Sequence, residues 1–151
     1  MVMILCLQRG KIMTKQELIE RYPFLRVRNV WTGELVESND DFTELDFIPE
    51  GWRKAFGLKM MEEVRNILLR YDYMNDFYFI DIKEKHGVLN MSFAPAPEHI
   101  SDEVQKVLDK YEELSYNTCI ECGEPTIHHT EGRIVPLCIK CKAAKENING
   151  I

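Results

Sequence analysis

The chain has 151 residues, 19 Lys and Arg against 25 Asp and Glu, a formal charge of −6 and 45% hydrophobic residues. That suits one compact domain with a small appendage, and no apolar run approaches the roughly 18 residues needed to cross a membrane. The acidic balance also opposes tight nonspecific binding to a phosphate backbone. Its distribution is uneven: residues 1–36 hold six basic and three acidic side chains, so the positive charge lies early and the remainder is strongly acidic.

Residues 1–7 are apolar but short, with Arg9 and Lys11 behind them rather than ahead, which fits neither a signal peptide nor an anchor. Residues 1–12 therefore read as a flexible extension ahead of Met13, and Cys6 as an idle thiol. A cytoplasmic location follows as the expectation, and there thiols stay reduced. Thr14-x-x-Glu17 is a capping box for a short helix that Tyr22-Pro23 stops. Residues 24–31 read as a strand with Leu25 and Val27 on one side and Arg26 and Arg28 on the other. Thr32-Gly33 turns it and Leu35-Val36 returns.

Residues 37–50, ESNDDFTELDFIPE, carry six acidic side chains, no basic ones, and Phe42, Leu45, Phe47 and Ile48 between them. Such a segment is either a loop pinned to the core by its apolar residues or a surface for a basic partner. On the second reading Asp40, Asp41, Glu44 and Asp46 are contacts. The longest helix is expected over 53–70, where Phe56, Met60, Val64, Ile67, Leu68 and Tyr71 share one face. Gly57 within it suggests the close passage of another element. Residues 77–83 and 88–93 alternate as the strands of a hairpin with His86 at its tip.

Ala94-Pro95-Ala96-Pro97 is a stiff connector into a second amphipathic helix ending near 114, with Ile100, Val104, Val107, Leu108, Tyr111 and Leu114 inward. Its outer face is acidic, and Asp102, Glu103 and Asp109 join the candidate partner contacts. Only residues 115–118 separate this helix from CIECGEPTIHHTEGRIVPLCIKC, so the last motif is expected to dock on it.

That motif holds two Cys-x-x-Cys pairs with fifteen residues between them, a metal-site spacing. Each pair offers two sulfurs from one tight turn, and the intervening chain can run out and back as a hairpin with Glu131-Gly132 near its bend. Cys119, Cys122, Cys138 and Cys141 are the expected ligands of one structural zinc ion, since four thiolates leave no position open for substrate. His129 and Glu131 ahead of Pro136 and Cys138 superficially match a zinc-deaminase signature. Leu137 interrupts it, and the segment is too short for the helices that such a site needs. With no phosphate loop, no H-E-x-x-H and no nucleophile elbow, an enzyme is not expected.

The expected fold is α+β: two amphipathic helices packed on a small antiparallel sheet with a C-terminal zinc ribbon. The divisions are an extension over 1–12, an α+β domain over 13–116, a ribbon over 117–145 and a tail over 146–151. GWRKAFG at the long helix, IKEKHGVL at the hairpin and KYEELSYNTCIECG at the first cysteine pair resemble small phage and prophage proteins of Gram-positive bacteria. The resemblance spans about residues 14–141. It implies a virus-encoded protein in the bacterial cytoplasm that inhibits a host nuclease by protein binding, as anti-CRISPR proteins do to Cas9. The alternative is a nucleic-acid-binding regulator using Arg26, Arg28, Arg133, Lys140 and Lys142.

Overall fold

The structure, a computed structural model, describes residues 6–8, 11–29, 31–36 and 42–148. Within the stretch expected as an extension, β1 (Cys6–Gln8) and β2 (Lys11–Met13) pair antiparallel. Helix α1 (Lys15–Arg21) starts at the capping box: Thr14 Oγ1 accepts from Glu17 N–H at 3.1 Å and Glu17 Oε2 from Thr14 N–H at 3.3 Å.

The strand expected over 24–31 does not form. Pro23–Leu25 is a 3-10 turn, and an isolated bridge joins Arg28 to Leu35. Pro23 sets a helical φ, and the consecutive residues Phe24 and Leu25 are both buried, which the alternation of a strand does not allow. A second 3-10 turn, Glu44–Phe47, buries Leu45. Residues 37–41, with Asp40 and Asp41, lie outside the described residues.

The long helix α2 begins at Glu50, three residues earlier than expected. It runs as Glu50–Trp52, a π-helical turn Arg53–Gly57, and Leu58–Arg70. Leu45 does pass close to Gly57: a Cβ there would lie 3.2 Å from its Cδ1. Strands β3 (Phe79–Lys85) and β4 (Val88–Phe93) pair from Phe79 opposite Phe93 to Lys85 opposite Val88. The two-residue turn has His86 at φ 52° and Gly87 at φ 84°, the left-handed pair that suits the twist of a tight hairpin.

Helix α3 (Glu98–Ser115) and helix α4 (Ile139–Ile148) complete the order. The core lies between α2, α3 and the β3–β4 hairpin. Trp52, Met60, Met61, Val64 and Leu68 of α2 meet Val104, Leu108 and Tyr111 of α3, with Phe24, Phe77 and Phe79 filling one end. Those three rings pack edge to face at centroid distances of 5.8, 6.1 and 5.2 Å. Leu114, expected inside, is exposed; Ser115 is buried instead and its Oγ accepts the Leu89 N–H at 2.9 Å, tying α3 to the hairpin. The α+β architecture with a C-terminal cluster of four cysteines is as expected.

Candidate metal centre

The chain leaving α3 enters the first cysteine pair through backbone bonds that shape a tight loop. Gly123 N–H donates to Cys119 O at 3.0 Å and Cys119 N–H to Glu124 O at 2.8 Å. Gly123 takes φ +83°, a left-handed conformation open to glycine at little cost. Two arms then run antiparallel: Leu137 N–H donates to His128 O and Thr130 N–H to Val135 O, each at 3.0 Å. The bend falls at residues 131–133. The returning arm delivers Cys138 and Cys141 at the start of α4.

All four sulfurs then lie within 4.8 Å of one another, and among the described residues no His, Asp or Glu joins the group. Cys122 and Cys138 are 3.7 Å apart, close to the separation of about 3.8 Å that Zn–S bonds of about 2.3 Å give in a tetrahedron. Backbone N–H groups already aim at sulfur: Cys138 N–H lies 3.4 Å from Cys119 Sγ and Cys141 N–H 3.4 Å from Cys138 Sγ. Burial opposes ionisation of Cys119, yet the N–H groups facing its sulfur outweigh it and bring the thiol down to about 7. Burial and the neighbouring sulfurs push Cys141 up. The cluster can hold one metal ion in a closed four-sulfur shell, which organises chain rather than reacting with substrate.

The supports of this centre are the part that sequence reasoning missed. The first loop rests on the start of α2: Gly51 N–H donates to Ile120 O at 2.8 Å, and Trp52 Nε1–H donates to Thr118 O at 2.8 Å. A Cβ on Gly51 would stand 2.3 Å from Cys119 O, so only glycine lets the helix and loop approach so closely. The second arm rests on the β3–β4 turn, where a Cβ on Gly87 would stand 2.5 Å from Ile134 O. Arg133 pairs with Glu84 beside it. Seating therefore involves α2 and the hairpin, beyond the expected α3. The Gly-Trp opening of GWRKAFG was the available signal, but nothing local says what it faces.

The acidic candidates separate. Glu44 is buried, 5% exposed; burial pushes its carboxyl up to about 7, against the Arg28 N–H that lowers it, and Asp81 raises it further. Asp46 caps its own turn, accepting the Thr43 N–H at 2.7 Å, and pairs with Arg53 at 3.2 Å with its side chain 3% exposed. Neither can present charge to a partner, which corrects the expectation for both. Glu103 is paired with Arg70 at 2.8 Å. Asp102 and Asp109 stand exposed on α3, with Asp109 accepting from Gln105 Nε2 at 2.8 Å.

Of the cations proposed for nucleic acid, Arg28 lies over the Tyr78 ring and donates to Gly33 O, and Arg133 is taken by Glu84. His129 Nε2–H donates to Tyr116 O at 3.0 Å, with its ring against that of Tyr116. A groove of about 630 Å³ is lined by Cys122 and Cys138 together with Ile127, His128, Ile139 and Lys140. No protein-family model matches the chain, and neither a curated protein nor a solved structure does.

Proposed function

We propose that this is a zinc-stabilised binding protein of phage or prophage origin that inhibits a host defence nuclease, Cas9 first among candidates, by covering the positive surface with which it takes up DNA. The observation that carries the metal half is the approach of four cysteine sulfurs to within 4.8 Å. An S4 set in a reducing compartment selects Zn²⁺ over harder divalent ions. Bound there, zinc fixes the two loops that hold the start of α2 and the β3–β4 turn.

Support for the partner half is the net charge of −6, the exposed carboxylates of α3 and the resemblance to phage proteins. An acidic surface is steered towards a cationic channel and gains on-rate from it. The test is a cleavage assay with purified, guide-loaded Cas9 and zinc-loaded protein, alongside metal analysis by mass spectrometry. The expected result is one zinc per chain and dose-dependent protection of the DNA target. Protection should weaken several-fold in the double variant Asp102→Asn, Asp109→Asn and fade with added salt. Full cleavage at saturating protein would sink the nuclease reading.

A further inference from the structure

The four sulfurs of the metal centre are not held alike. Cys119 is fully buried, whereas Cys122, Cys138 and Cys141 are half-buried. Cys119 Sγ receives the Cys138 N–H at 3.4 Å, and the N–H groups of Cys122 and Glu121 face it as well. Cys122 Sγ has the Glu124 N–H, and Cys138 Sγ has the Cys141 N–H at 3.4 Å. Among the described residues no N–H group donates to Cys141 Sγ, which faces the other three sulfurs instead.

The backbone accounts for the difference. After Cys122, Gly123 at φ +83° turns the chain back so that the next N–H aims at sulfur. After Cys141 comes Lys142, and the chain simply continues as α4. Lys142 N–H donates to Cys138 O at 2.9 Å, and the N–H groups of the following turn bond four residues back within the helix. None is left for Cys141. An N–H bond draws electron density from a thiolate and occupies one of its directions of attack, so donors to sulfur tune a metal-bound thiolate. Cys122 and Cys138 line the groove described above, so exposure does not single out one sulfur; the missing donor does.

We propose that Cys141 is the oxidant-sensitive sulfur of this centre, and that with Cys138, one helical turn before it, it forms a redox pair that hydrogen peroxide closes and thiols reopen. This rests on the centre holding zinc. The Cys141 thiolate attacks one oxygen of the peroxide: an S–O bond forms, the O–O bond breaks, and hydroxide leaves and takes a proton from solvent. The Cys138 thiolate then attacks the resulting sulfenic acid. An S–S bond forms, the S–O bond breaks, and a second hydroxide leaves to become water. The two thiolates have given two electrons to one peroxide. A Cys-x-x-Cys pair at a helix start is a setting in which disulfides form and open reversibly. Only two sulfurs then remain for the metal, which dissociates.

The test uses the full chain with Cys6→Ser, so that only the four clustered thiols are read, loaded with zinc and assayed for metal by mass spectrometry. Peroxide is added, zinc release is followed with a chromophoric chelator, and thiols are mapped at successive times by differential alkylation. The expected result is one zinc per chain, released in step with a Cys138–Cys141 disulfide while Cys119 and Cys122 can still be alkylated, and regained on adding dithiothreitol and zinc. Cys141→His keeps a zinc ligand and removes the reactive sulfur, so its release should be about tenfold slower, while Cys122→His should release as the parent does. Earlier loss of Cys119 or Cys122, or parent-like release from zinc-loaded Cys141→His, overturns the inference and leaves the zinc reading standing. A chain that binds no zinc overturns both. If Cys141→His takes up no zinc, the order of thiol loss in the parent chain still decides.

Discussion

Glu62 and Glu63 are neighbours on α2, yet each carboxylate serves a different helix. Glu62 Oε2 accepts from Tyr22 Oη at 2.6 Å and from Arg21 Nε at 3.0 Å, joining α2 to α1. Glu63 accepts from Tyr111 and Lys110, joining α2 to α3. Partial burial opposes ionisation of both, but the donors outweigh it and hold both carboxyls below the usual range. Burial, and then Glu62, push Tyr22 up to about 12. A depressed folded-state pKa contributes stability above the unfolded value that is lost as pH falls through the folded one. Glu62→Gln should therefore cost about 1 kcal/mol at neutral pH, after allowance for its partial exposure, and little in strong acid. A denaturant titration at pH 7 and at pH 3 reads the difference; an equal cost at both would discard the ionic account.

Glu44 works in the opposite sense. Its folded-state pKa is raised to about 7 by burial, so between its unfolded value and that pH the folded chain holds the extra proton. Its contribution is fully present in acid and declines as pH rises through about 7. Glu44→Gln keeps an acceptor for the Arg28 N–H and removes the ionisation. It should match wild type near pH 4 and melt several degrees higher at pH 8. A constant offset across that range would show that charge is not the cause.

Among the elements, the long helices were legible because their apolar residues repeat with the helical period, and the cysteine pairs because metal spacing is local. The hairpin was legible for the same reason, from alternation around Gly87. What escaped was set by distant partners. The helix starts at Glu50 because Ile120 O receives the Gly51 N–H, a bond to a residue 69 positions later. Glu44 and Asp46 looked like surface charge because composition records that a carboxylate is present, not that a turn buries it. Residues 24–31 looked like a strand because Leu25 and Val27 alternate with Arg26 and Arg28, and nothing local says that the Pro23 turn buries both Phe24 and Leu25.

The seat of α2 on the metal loop makes its own prediction. Gly51→Ala puts a methyl 2.3 Å from Cys119 O, where relief requires moving backbone on one side or the other. The expected cost is about 3 kcal/mol, the upper end of ordinary overpacking. Because the same carbonyl belongs to the first loop of the candidate metal centre, competition with a chromophoric chelator should show weaker zinc binding as well. Loss of stability with unchanged metal affinity would mean that the loop and helix are not coupled.

At the scale of the molecule, the four-sulfur centre lies outside the aromatic and aliphatic core but is bonded to its edge through Trp52. Structural zinc contributes about 10 kcal/mol or more to small peptides that have no other core. Here the core built around α2, α3 and the hairpin contains, among the described residues, 24 buried hydrophobic side chains and none of the four cysteines. Removing the metal is therefore expected to release residues 117–148 and open the Trp52 edge while the rest of the core stays folded. The two tryptophans make this readable. Trp31, 91% exposed, already emits as an indole in water, so a red shift on chelation reports Trp52 losing its bond to Thr118 O and its buried site. The expected result is a red shift and new protease cleavage after residue 117, with most of the far-ultraviolet helical signal retained and reversal on adding zinc. Loss of the whole helical signal would make the metal a condition of folding, and an unchanged spectrum would detach the centre from α2 altogether.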